Sequence, residues 1–198
     1  MNDAFTAGVE PGGLISHDEI QIMLCYLLDS VQNPMEPSLL FESLAGQGLV
    51  NYFEAGAALE ELLLLGHVCE DKETARLSLT ESGRDIAQQL AVRLPLTVRE
   101  RALKAALTLL ARRKIARENP VEIQTCAKGH NVTCNILGPD AEPLLSLILA
   151  VADEGQAKLI KEQFLNDPEL LYRVVMAVLT GQASRYDQTG QLIIEQLT

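Results

Sequence analysis

The chain lacks tryptophan and has only four Tyr and four Phe in 198 residues, which excludes an aromatic-rich core. Any core must therefore be built from Leu, Ile, Val and Ala. No apolar run reaches the roughly 18 residues that a membrane-spanning helix needs, so no membrane association is expected. Residues 1–13 have neither the basic segment nor the apolar segment of a signal peptide, and residues 1–14 are expected to form a flexible arm. Cysteine is scarce. Cys25, Cys69, Cys126 and Cys134 are the four present, and without a secretion signal they are expected as reduced thiols in a cytoplasmic protein.

Positive charge is the most informative absence. The first Lys or Arg is Lys72; residues 1–71 hold 12 Asp/Glu and no Lys/Arg, a net of −12. Residues 72–117 hold 11 Lys/Arg against 4 Asp/Glu, a net of +7, and the rest of the chain is acidic again, within a total of −11. A polyanion would have to approach through the middle block.

What is present reads as helices first and strands later. Ser16 and Glu19 have the spacing of a capping box, and Ile20, Met23, Leu24, Leu27, Leu28 and Val31 follow at helical intervals. Asn33-Pro34 breaks this helix, and Pro37 suits the start of a second carrying Leu39, Leu40, Phe41 and Leu44. Asn51 is placed to cap a third helix with Phe53, Ala57, Leu59, Leu62 and Leu63 on its apolar side, stopped at Gly66. Residues 67–70 and 75–79 predict a two-stranded wing. Thr80 caps a fourth helix with Ile86, Ala87, Leu90 and either Val92 or Leu94 inward. A fifth runs from about Thr97 to Glu118, with Val98, Leu103, Ala106, Leu107 and Leu110 on one stripe.

Asn119-Pro120 predicts a domain boundary. Beyond it the period changes to two over residues 121–127 and 132–137. The continuous apolar run from Leu144 to Val151 reads as a buried strand. Two helices are expected over 154–166 and 168–179. The tail, 182–198, is either docked on a partner chain or loose. The fold class is α+β: a winged helix-turn-helix over 15–95, a linking helix over 96–118, and a three-stranded sheet with two helices over 119–181 that dimerises or senses a ligand.

The string Asn51-Tyr52-Phe53…Leu59…Glu61-Leu62…Gly66…Leu79-Thr80…Gly83…Arg93-Leu94-Pro95 resembles a Firmicute-type family described only as a domain of unknown function. That family is similar to winged-helix transcription regulators joined to a small α+β domain. The second half carries the resemblance on through the Leu144–Val151 run, the Ala157 helix and Tyr172, so that it spans about residues 15–180. The resemblance implies a homodimeric regulator that binds double-stranded DNA. One departure is Gly56 and Ala57, flanked by Glu54, Glu60 and Glu61, where polar residues such as Gln are common in the family. Gly and Ala offer no side-chain hydrogen bond to a base edge.

The candidate DNA contacts are Asn51 and Tyr52 on the third helix, Lys72 and Arg76 on the wing, and Arg84 beyond it, supported by Arg99, Arg101 and Lys104. Each has a structural alternative: Asn51 as a cap, Tyr52 as packing, the cations as a solvated surface. The run Arg112-Arg113-Lys114…Arg117 is read first as a helix end favoured by its dipole. Cys126, His130 and Cys134 have a spacing that suggests zinc, but no fourth ligand accompanies them, and no metal is expected. No nucleophile elbow, phosphate loop or His-Glu metal motif occurs, so neither an enzyme nor a cofactor is expected. The alternative to DNA binding is a winged-helix module that docks a protein partner.

Overall fold

The structure is a computed structural model that describes residues 7–181 and the paired backbone strands Arg185–Tyr186 and Leu192–Ile193. Residues 1–6 and the rest of the expected tail lie outside the described residues. The chain is α+β and divides into two compact units, Met1–Ala111 and Arg112–Thr198.

The first unit is built on α1 (His17–Val31), whose Ile20, Ile22, Met23, Leu24, Cys25, Leu27, Leu28 and Val31 are all buried. Asp18 and Glu19 occupy its first turn, where the helix dipole favours anions. Ser16 holds the N-cap position, but its hydroxyl makes no cap hydrogen bond, so the expected capping box is not closed. Gln32 leaves the helix in a left-handed conformation, φ 55°. Helix α2 (Pro37–Ala45) starts on Pro37, whose fixed φ and missing N–H suit a first turn. Between α1 and α2, Met35 exchanges two backbone hydrogen bonds with Leu77, at 3.0 and 2.8 Å. Both side chains are buried.

Helix α3 (Tyr52–Leu64) buries Ala55, Ala58, Leu59 and Leu62. Gly66, at φ 72°, turns the chain into β1 (Val68–Glu70), which pairs antiparallel with β2 (Leu77–Leu79). Thr80 caps α4 (Glu81–Leu90): its hydroxyl accepts from the Gly83 N–H at 3.3 Å and donates to the Gly66 carbonyl at 2.8 Å. A side chain at Gly83 would collide with the His67 carbonyl oxygen, which explains the glycine three residues after the cap. After a 3-10 turn (Ala91–Arg93), Leu94 is the inward residue and Val92 is 73% exposed. Helix α5 (Leu96–Glu118) contributes Val98, Ala102 and Ala106 to the core. Leu107, placed on the inward stripe by its spacing, is half exposed.

Residues 7–14, expected as part of an arm, are tied to the segment before α3. The Glu10 N–H donates to the Gly48 carbonyl and the Leu14 N–H to the Leu49 carbonyl, each at 2.8 Å.

The second unit is an antiparallel sheet of β3 (Val121–Cys126), β4 (Gly129–Leu137) and β5 (Pro143–Val151), in that order. Helices α6 (Glu154–Asn166) and α7 (Pro168–Leu179) follow, capped by the Asp153 and Asp167 carboxylates, each accepting one backbone N–H at 2.9 Å. Val132, Cys134, Ala157 and Phe164 are its buried apolar core. The apolar run over 144–151 is not the buried strand that continuous hydrophobicity suggested. It is an edge strand with Leu144 57% and Ile148 65% exposed. An apolar run alone does not separate a central strand from an apolar edge.

Two substitutions on α3 should part sharply in a urea unfolding titration. Leu62→Ala, at a position 1% exposed, should cost about 2–5 kcal/mol. Leu64→Ala, at 88% exposed, should stay within about 0.5 kcal/mol. Burial also pushes the Cys25 thiol up from 9.0 to about 12. Above pH 9 the unfolded chain loses this proton and the folded chain keeps it. Stability present below that pH should therefore fall toward pH 12, by up to about 1.4 kcal/mol per unit. Cys25→Ala should flatten that slope in the same titration repeated across alkaline pH.

Candidate interaction surface of the third helix and the hairpin

The start of α3 is fixed by Asn51. Its side-chain oxygen accepts from the N–H groups of Phe53 (2.9 Å) and Glu54 (3.4 Å), while its amide donates to the Ala7 carbonyl at 2.6 Å. Both ends of the side chain are engaged, and a base edge would have to displace one of them. The Tyr52 ring meets Phe41 edge-on at 5.3 Å and Phe53 at 6.1 Å between centroids. Half of Tyr52 still faces solvent.

Residues 53, 57, 60 and 64 share one face of a helix. On α3 this outward face presents Phe53 at 79% exposure, Ala57, Glu60, and Leu64 at 88%. Leu65, just past the helix, is also exposed. Phe53 and Ala57 were expected in the core. The buried stripe is already complete with Ala55, Ala58, Leu59 and Leu62, which leaves Phe53 and Leu64 outside it. The spacing shows both apolar sets, but not which of them a neighbour buries.

Two of the three carboxylates of α3, Glu54 and Glu61, are held on the flank facing α1. His17 Nε2 lies 2.8 Å from Glu61 Oε2, Gln21 Nε2 donates to the same oxygen at 2.9 Å, and His17 Nδ1 lies 3.9 Å from Glu54. Glu60 points outward and is exposed. No basic residue occurs on α3.

The cations stand elsewhere. Lys72 is exposed in the loop between β1 and β2, which Asp71 shapes. The Asp71 carboxylate accepts from the backbone of Glu73 and from both the backbone and the hydroxyl of Thr74. Those bonds, led by the Thr74 backbone, lower its pKa. Arg76 approaches Glu36, at the start of α2, at 4.0 Å. Arg84 lines a cavity of about 280 Å³ with Leu28, Asp29, Gln32, Asn33 and Leu79, and no residue of α3 lines it. Two of the expected supporting cations have partners within the unit. Arg99 stacks over Tyr26, 5.7 Å from the ring centroid, and Arg101 bonds Glu10 (3.2 Å) and the Gln47 carbonyl (2.9 Å). The structure thus brings Asn51 and Tyr52 together, sets Lys72 and Arg76 on the hairpin, and gives Arg84 a different setting.

The spacing of Cys126, His130 and Cys134 does not become a cluster. Cys126 pairs with Gly129 at the turn, while Cys134 pairs with Val121 at the far end of β3. Cys126 and Val121 are also of opposite parity on β3, so the two thiols lie on opposite faces.

A family model described as a domain of unknown function (DUF4364) matches residues 20–179. The chain belongs to that family. The match covers most of the span over which the sequence motifs carry the resemblance. No curated protein and no solved structure matches the chain. Within the matched span lie both the outward face of α3 and the hairpin cations.

Removing the cap tests the local reading of Asn51. Asn51→Ala should cost about 1 kcal/mol by thermal or urea unfolding. No loss would mean that the side chain is held for a ligand and not for the helix.

Proposed function

We propose that residues 15–95 are a winged helix that docks a protein partner through α3. In this reading α2 and α3 are the helix-turn-helix, β1 and β2 the wing, and Met35 supplies a short third strand. The partner segment is apolar at its centre and basic at its rim. The carrying observation is the outward face of α3: Phe53 and Leu64 are 79% and 88% exposed, with Ala57 and Glu60 between them. Duplex DNA carries one negative charge per roughly 1.7 Å of axis, and Glu60 in its groove would be repelled. Ala57 and Gly56 give no readout of bases. The same face complements an amphipathic protein surface carrying a Lys or Arg, in which Phe53 and Leu64 fill pockets and Glu60 meets the cation. A winged helix does not by itself fix the class of ligand.

The second reading is a homodimeric DNA-binding transcription regulator. It is favoured by Lys72 at the wing tip and Arg76 beside it, both exposed. Such contacts position a protein on phosphates without reading sequence.

Two measurements separate these readings. In selection from a random duplex pool, the docking reading predicts binding at low salt only and no enriched site at physiological salt. Lys72→Ala with Arg76→Ala should then weaken the low-salt binding at all sequences and reduce its salt slope by about 2. A palindromic site surviving physiological salt would establish the second reading instead. For docking itself, a photo-cross-linker at position 57 of the full chain in its native cells should capture one protein. Phe53→Asp should abolish that capture; capture indifferent to Phe53 would overturn the assignment of this face.

A further inference from the structure

In the first unit the end of α1, β2 and the beginning of α4 pack on one another and leave a cavity of about 280 Å³ between them. Asp29, Gln32, Ser78 and Arg84 line it. Among the described residues neither Asp29 nor Arg84 has an ion-pair partner, so the two charges share one cavity without joining. The side chains of Gln32 and Ser78 make no hydrogen bond among the described residues either. Elsewhere in the unit charges find partners: Arg76 stands near Glu36, Arg101 bonds Glu10 and Glu61 bonds His17.

The lining has an order. Asp29 belongs to α1 and Arg84 to α4, which gives the cavity an anionic side and a cationic side. The last turn of α1 strengthens the anionic side, because the final carbonyls of a helix carry partial negative charge. Arg84 presents a planar fork of donors that matches a carboxylate. Leu28 and Leu79 supply an apolar wall. Gln32 adds a further sign. It leaves α1 in a left-handed conformation, φ 55°, at a place that Gly usually takes and Asn sometimes does. A glutamine there accepts backbone strain and keeps a side-chain amide on the lining.

We infer that this cavity binds a free α-amino acid. The ammonium group meets Asp29 and the end of α1, the carboxylate meets Arg84, and the ligand's side chain lies against Leu28 and Leu79. A ligand of one charge would leave either Asp29 or Arg84 unmatched, whereas a zwitterion matches both. Size agrees. At roughly 30 Å³ for each water-sized group, the cavity has room for about nine non-hydrogen atoms, which is an amino acid of moderate size. A nucleotide exceeds that room and brings no cation for Asp29. No residue of α3 lines the cavity, so the inference does not rest on what α3 docks.

Isothermal titration calorimetry of the full chain with each of the twenty free L-amino acids should find at least one that binds at about 1 mM or tighter. Its N-acetyl derivative lacks the cation and its methyl ester lacks the anion. Each should bind at least about tenfold more weakly, the effect of losing a hydrogen bond to a charged group. Arg84→Gln and Asp29→Asn should each weaken binding of the parent amino acid by the same factor, with an unchanged far-ultraviolet circular dichroism spectrum. No binding by any of the twenty, full binding of either derivative, or undiminished binding by either folded variant would overturn the inference. Should a variant unfold, amide chemical-shift mapping on the unmodified chain decides. The bound amino acid should move the amides of residues 28–34 and 78–84, and shifts confined to other residues would overturn the assignment of this cavity.

Discussion

The burial of α1 is the constraint on which the first unit depends. Eight of its fifteen residues are removed from water, and α3, β2 and α4 all pack against it. Because α1 takes the Ala55–Ala58–Leu59–Leu62 stripe of α3, the opposite face of α3 is forced outward. Because Leu77 is pinned to Met35 by two backbone bonds, the hairpin is held at the strand end and its loop projects beyond it. The outward face and the projecting loop are thus consequences of one packing decision.

Charge then separates these two surfaces. Neither α1 nor α3 carries a Lys or Arg, and the His17–Glu61 and Gln21–Glu61 bonds hold one carboxylate in place. The cations begin only at Lys72, and several of those that follow are engaged by Tyr26, Glu10 or Glu36. A surface with exposed Phe and Leu on either side of one carboxylate suits an apolar, basic protein segment. An exposed loop Lys suits a phosphate. Assigning both to one duplex would place carboxylates against phosphates.

Much of the fold was legible because local chemistry agreed with it. Asn51, Thr80, Pro37 and Gly66 each stand where a cap, a first turn or a stop requires them. The helices at 154–166 and 168–179 follow from spacing and from Asp153 and Asp167. What was not legible concerned exposure. Phe53 and Leu107 are apolar residues at plausible inward positions that the packing leaves outside. β5 has the composition of a central strand and the place of an edge. Val92 and Leu94 were equivalent until the 3-10 turn chose between them. Each of these depends on which neighbour arrives, and one chain's periodicity does not carry that information. The candidate site was legible as a region, 49–84, but its outward residues were not.

The most direct measurement of the central claim is amide chemical-shift mapping of the first unit's signals in the full chain, during titration with a duplex at low salt. The account predicts perturbations confined to the loop around Lys72 and Arg76, with the amides of residues 53–64 unmoved. Perturbations centred on Phe53, Ala57 and Leu64 would contradict it and place α3 against DNA.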